Sequence, residues 1–300
     1  MPKPVRDVGA SVGARLLNLA KQQNRIFDRL VTRYVLERLL YRLSITAHRD
    51  RLVLKGAMLI AAWFADPHRE TRDVDFLGLG SSDPATMLDV FRDICAVEID
   101  DGVKFDATKL SVDRIREEQR YGGLRLKTEA TVGGARVRVV IDVGFGDTVE
   151  PEMEEIELPI MLDLPAPRLW AYTRESVIAE KFHAMVILGR ANSRMRDYYD
   201  IWLLARTHEF AGERLAKAIA ATFRRRQTVI PLELPDGLAR AFAEDPTKRR
   251  QWAAFANEVS ENTVPLAEVI DDLAAFLWPR AVEARMIRAD ERRREPGAIG

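Results

Sequence analysis

The chain of 300 residues is long enough for one large domain or two ordinary ones. With 47% apolar and 31% charged residues it is neither an apolar-poor disordered chain nor a Gly/Pro-rich fibrous one. Its formal net charge is zero, and its single cysteine, Cys95, excludes both an intramolecular disulfide and a cysteine-based zinc knuckle.

The neutral total hides an uneven distribution. Residues 1–50 carry ten Lys/Arg against four Asp/Glu, whereas residues 140–163 carry eight acids and no base. A basic arm is a possible nucleic-acid footprint. Equally, 37 of the 46 basic residues are arginines scattered along the chain, as a compositional bias would leave them. The four histidines (His48, His68, His183, His208) show no ligand spacing. The start, MPKPVRDVGA, lacks the apolar run of a signal peptide, and no stretch reaches the ~18 apolar residues of a membrane span. A soluble, cytoplasmic protein is expected.

In chain order, Leu16 to Leu43 has helical periodicity, with Ile26, Leu30, Tyr34 and Leu39/Leu40 on one stripe and Arg29, Arg33, Glu37 and Arg38 mostly off it. RLVLKGA reads as a strand, Ala57 to Phe64 as a buried helix of about two turns, and DVDFLGLG as a short strand ending in a Gly-rich turn. Pro84 to Ala96 is an amphipathic helix capped by Asp83, with proline in its first position. A hairpin follows: Leu124, Leu126, Thr128 and Ala130 alternate up to a turn at Val132-Gly133-Gly134, and Val137, Val139 and Ile141 alternate back. Beyond an acidic stretch at 150–167 the pattern is helical: Thr173 to Leu188 with Thr173 as N-cap, Met195 to Thr207, 211–226, 236–244, 248–258 and 265–278. The expected organisation is 1–165, N-terminal helices and an α+β core; 166–284, a helical domain; and 285–300, a flexible tail.

Asp73 and Asp75 sit two apart on a strand and therefore project from one face. Adjacent carboxylates repel unless a cation lies between them, and Mg²⁺, an oxygen-seeking ion that keeps waters and phosphates, is the natural one. Two solvated turn acids need no such ion, so the pair alone decides nothing. Lys55-Gly56-Ala57 stands upstream, at the start of an apolar helix where backbone N–H groups suit phosphate oxygens. Asp142, an acid in an apolar strand before Gly144 and Gly146, either caps a turn or supplies a third carboxylate. A two-metal nucleotidyl-transfer site requires such a third ligand. Lys181 lies between Val177 and Met185, as a snorkelling surface lysine or a phosphate ligand would. Asp197 and Asp200 share a helix side. Near the helix start, Asp197 either complements the dipole and pairs with Arg194 or Arg196, or takes part in catalysis. His183 reads as structural, Cys95 as core, and the scattered tryptophans as packing.

The runs VLKGAMLIAAWF, ETRDVDFLG, VVIDVGFGD, ESVIAEKFHAM and NSRMRDYYDIWLL, in this order from about residue 52 to 204, resemble the successive motifs of the AbiEii/AbiGii toxin family. These are the toxins of type IV toxin–antitoxin systems and belong to the polymerase-β-like nucleotidyltransferases. The resemblance implies an α+β fold with a mixed or antiparallel nucleotidyltransferase sheet and a C-terminal helical bundle. It implies metal ligation by Asp73, Asp75 and Asp142, a triphosphate contact from Lys181, and a further essential acid at Asp197. Lys55, Gly56 and Ala57 fall where the superfamily binds NTP. There the usual Gly-Ser or Gly-Gly pair is Gly56-Ala57, so a phosphate-binding hydroxyl is missing. The implied activity is Mg²⁺- or Mn²⁺-dependent transfer of NMP from an NTP, releasing pyrophosphate, to the acceptor end of tRNA, with a cognate antitoxin encoded nearby. Modification of a protein hydroxyl, or a catalytically weak nucleotide- or RNA-binding module, are the alternatives. The site is expected in a cleft between the two halves.

Overall fold

The computed structural model describes residues 7–64, 71–115, 122–146, 153–259 and 264–294. The first six residues, His68 and residues 147–152 of the acidic stretch lie outside them. Contacts divide the chain into two units, the first running to Gly146 and including Met153–Ala171, the second beginning at Tyr172.

In the first unit, α1 (Val8–Gln22) and α2 (Phe27–Ser44) precede β1 (Leu52–Lys55), α3 (Gly56–Ala62), β2 (Asp73–Gly78) and α4 (Pro84–Ala96). The strands β3 (Lys104–Phe105), β4 (Ser111–Ile115), β5 (Gly123–Val132), β6 (Ala135–Phe145), β7 (Met153–Glu157) and β8 (Arg168–Tyr172) follow. They join in one mixed sheet ordered β3-β5-β6-β2-β1-β8-β7, with β4 also pairing β5. The β2–β6 and β1–β8 pairs are parallel; β1–β2, β5–β6, β3–β5 and β4–β5 are antiparallel. Because β8 pairs with β1 through Leu54 and Ala171, the first unit extends a few residues beyond the expected boundary at 165.

The alternation of the hairpin decides which sheet face is core. Leu124, Leu126, Thr128, Ala130, Val137, Val139 and Ile141 are all buried, together with Val74 and Phe76 of β2. Helices α1 and α2 pack against β5 and β6, and α4 packs on α2. Polar residues of the same strands are left on the other face. At the hairpin tip Gly133 has φ +54°, and a Cβ there would lie 2.7 Å from the carbonyl of Gly9. Gly9 and Gly13 of α1 thus seat the helix directly on the turn. The cap Asp83 accepts from Thr86 N at 2.8 Å as its sequence position implies. Burial pushes the Cys95 thiol up to about 12.

Three expectations need correction. The span Leu16–Leu43 is two helices, broken where Asn24 takes φ +51°. Glu37 and Arg38, read as lying off the apolar stripe, are buried along with Arg42. Loops cover the polar side of α2. Arg42 holds Asp101 through two hydrogen bonds of 2.6 and 3.1 Å and donates to the carbonyls of Val97 and Val103. Tyr34 donates to Asp101 O, Arg38 to Pro165 O, and Glu37 accepts from Met161 N.

The third concerns the second unit, which contains α5 (Arg174–Leu188), α6 (Met195–Thr207), α7 (Gly212–Arg225), α8 (Arg240–Glu244), α9 (Pro246–Val259) and α10 (Leu266–Arg294). The expected helix at 236–244 is a 3₁₀ turn, Asp236–Leu238, followed by the short α8. The one expected at 265–278 continues through Pro279 to Arg294, across most of the presumed tail. An interior proline forfeits a backbone hydrogen bond. Here Leu277, Ala281 and Ala284, all fully buried, carry the helix across it. Helix α7 packs on both α5 and α10, with Phe182 and Phe223 ring to ring at 5.9 Å.

Candidate active site

The strand register assembles the first cluster. Across β1, β2, β6 and β5, Lys55 is opposite Asp75, Asp75 opposite Asp142, and Asp142 opposite Arg125. Residues in register share a face, so these four form a line across adjacent strands, on the face away from the hairpin's buried residues. Asp73, two residues before Asp75, lies on the same face. Its carboxylate Oδ1 is 2.8 Å from the Thr71 hydroxyl.

Two acids stand side by side in this line, flanked by a base at each end. Arg125 donates to both oxygens of Asp142, Nε to Oδ1 at 2.8 Å and Nη2 to Oδ2 at 2.6 Å. That pairing raises the Arg125 pKa above its ordinary value, with smaller contributions from the charges of Asp73 and Asp75. The Lys55 ammonium lies over β6, 3.4 Å from where a Cβ on Gly144 would stand.

Gly56 is held at φ +73°, and a Cβ there would overlap Asp75 Oδ2 and sit 2.7 Å from its Cγ. The glycine turn and the carboxylate pair are therefore in direct contact. Ala57, the next residue of α3, has no hydroxyl to offer.

The all-oxygen donor set suits a hard divalent cation. Mg²⁺ commonly takes one or two carboxylates and completes its shell with water and substrate phosphates. Among the described residues no three Asp, Glu, His or Cys side chains are gathered as a ready cage. Asp73, Asp75 and Asp142 share one face, with the Asp142 carboxylate engaged by Arg125.

The second cluster belongs to the second unit. Thr173 caps α5 and Glu175 lies in its first turn. Lys181 on that helix makes ion pairs to Asp197 and, at 3.0 Å, to Asp200, both on α6. Asp200 is almost wholly buried. Asp197 therefore pairs with Lys181. Beside them Glu180 binds Arg225 and Arg226. His183 is buried against Phe223, with Nε2 2.9 Å from the Thr228 hydroxyl, and is structural as expected.

Arg125 is the site residue the sequence reading missed, although a signal for it existed. Counting pairs back from the Gly133-Gly134 turn sets Val132 against Ala135 and Arg125 against Asp142.

Two solved structures share this fold. JHP933 from Helicobacter pylori aligns with a TM-score of 0.51 and 12% identity, covering 89% of this chain and 97% of its own. Another H. pylori structure, provisionally assigned as a nucleotidyltransferase, gives 0.50 and 13%, covering 86% and 96%. At this identity the likeness defines the fold, a nucleotidyltransferase-like one. Residues 38–278 match the family model described as nucleotidyl transferase AbiEii toxin, type IV TA system. The chain belongs to that family and is a nucleotidyltransferase. No curated protein matches it.

Proposed function

We propose that the protein transfers NMP from an NTP to RNA, at the acceptor end of a tRNA, with Mg²⁺ or Mn²⁺ held at the Asp73–Asp75 face. The observation that carries this reading is the line Lys55–Asp75–Asp142–Arg125 across four strands, in a chain whose family transfers nucleotides. The bound cation would supply Lewis-acid stabilisation of the phosphates and activation of the attacking hydroxyl.

The protein's own residues set the scene for it. Asp73 and Asp75 present oxygen donors, and Thr71 orients the first. Gly56 leaves room for the second. Lys55 and Arg125 are preplaced cations for charge that grows on the phosphates, donors of the kind whose loss costs about 3–4 kcal/mol in other enzymes. Asp142 holds Arg125 in position and is the third metal ligand once that pair opens. Lys181, oriented by Asp197 and Asp200, is the second unit's candidate triphosphate contact.

The family description implies an antitoxin partner, and a cytoplasmic location fits that role. Among the described residues no helix is long and apolar enough to cross a membrane.

The test is to incubate the protein with each α-labelled NTP, Mg²⁺ and total RNA. Label in RNA, lost in Asp75→Ala, is the expected result. Label only in protein makes a protein hydroxyl the acceptor. Nucleotide or RNA binding without label leaves a binding module.

A further inference from the structure

We propose that the groove between the first turn of α2 and the start of β6 binds the phosphate backbone of single-stranded RNA, guiding the acceptor strand toward Asp73. This rests on the RNA-acceptor reading above. The groove, of about 480 Å³, is lined by Arg29, Arg72, Arg136 and Arg138, with Asp28 as its one acid. Among the described residues Arg72, Arg136 and Arg138 take part in no ion pair. Glu129, in register with Arg138, is turned to Lys109 at 2.6 Å. Arg72, Arg136 and Arg138, sharing a groove with a single carboxylate, repel one another, and a string of phosphates relieves this with the two-pronged geometry arginine favours.

The position of the groove ties it to the candidate active site. Arg136, Arg138, Val140 and Asp142 alternate onto one face of β6, so the Arg138 backbone lies about 13 Å along the strand from Asp142. Thr71, which also lines the groove, is the residue bonded to the Asp73 carboxylate. Strand β2 pairs with β6 only from Val140 onward. Beside it Ala135–Val139 have no strand partner on that side among the described residues, and the groove follows this open edge. A basic channel along a strand edge, leading to a nucleotidyl-transfer face, is suited to a backbone tracked without regard to base.

The test is fluorescence anisotropy with a labelled single-stranded oligoribonucleotide of about twelve nucleotides, without NTP or turnover. Binding by the wild type is expected to fall at least tenfold in R136E/R138E, with the salt slope shallower by roughly one to two. Asp28→Asn should bind a few-fold tighter, and binding of a fluorescent NTP should be unchanged in both. Wild-type affinity and slope in R136E/R138E, no oligonucleotide binding by the wild type, or equal competition by an acidic peptide of the same charge would each overturn the groove. The labelling experiment fails separately. If the wild type labels only protein while the oligonucleotide is lost in R136E/R138E, the groove stands as an RNA site and the acceptor reading falls. If RNA is labelled equally by both proteins, the reading stands and the groove falls.

Discussion

Asp75 and Gly56 occupy the same few cubic ångströms, so neither can be understood alone. Gly56→Ala combines a left-handed backbone, a strain of about 1–2 kcal/mol, with displacement of the Asp75 carboxylate. In an Asp75→Ala background only the backbone term remains. A double-mutant cycle by urea unfolding should therefore give a coupling of about 1 kcal/mol or more, since the residues touch. Additive losses would mean that the carboxylate moves aside freely. Arg125 is different because it is substantially exposed at 43%, and such a pair contributes under about 1 kcal/mol to stability. Arg125→Ala should leave the melting temperature nearly unchanged while titrating Mn²⁺ several-fold more tightly, because a competing cation has gone. Unchanged Mn²⁺ affinity would count against metal binding on this face. The carboxylates were legible from two-residue parity and the family motifs. Arg125 was passed over although the hairpin register sets it opposite Asp142, because parity alone shows which residues share a face and not how far a long side chain reaches.

At the scale of elements, α2 is the helix whose sequence misleads. Its charges at positions 37, 38 and 42 look like a solvated side, yet loops wrap them, offering backbone carbonyls to Arg38 and Arg42 and the Met161 N–H to Glu37. Removing one partner of a buried ion pair typically costs about 3–5 kcal/mol. Arg42→Met, which leaves Asp101 fully buried without its guanidinium, should lower unfolding free energy by that order. A loss below about 1 kcal/mol would show that water reaches Asp101. Local signals read well elsewhere: Asp83-Pro84 opens α4 and Thr173 opens α5, and the Gly-Gly turn sets the hairpin register. The short strands β3 and β4, the edge strand β7 and its neighbour β8 were missed because few residues in them alternate. Helix α10 outran its proline because packing on Ala281 and Ala284 is a long-range property that no local window contains.

For the molecule as a whole, one titration stands out in the acid range. Burial first, and then the neighbouring Arg226 charge, hold the His183 pKa down to about 4. Unfolded, the imidazole titrates near 6.5. The folded state therefore favours the neutral ring, and its stabilisation is complete above about pH 6.5 and lost as pH falls toward 4. At about 1.4 kcal/mol per unit this is a few kcal/mol. His183→Gln, which can keep the Thr228 hydrogen bond, should flatten the urea midpoint between pH 6.5 and 4. A profile as steep as wild type would assign the acid sensitivity elsewhere.

The glycine seat of α1 on the hairpin tip has a consequence in time. The helix leaves the ribosome ahead of the hairpin, and the turn that receives Gly9 and Gly13 is made about 120 residues later. At ordinary elongation rates that is a delay of roughly 6–25 s. Throughout it Val12, Leu16 and Ala20, all buried in the finished protein, have no sheet to cover them. Yield in the cell thus depends on how safely one short helix waits, and a bulkier residue at position 133 should first appear as insoluble nascent protein, ahead of any change in activity.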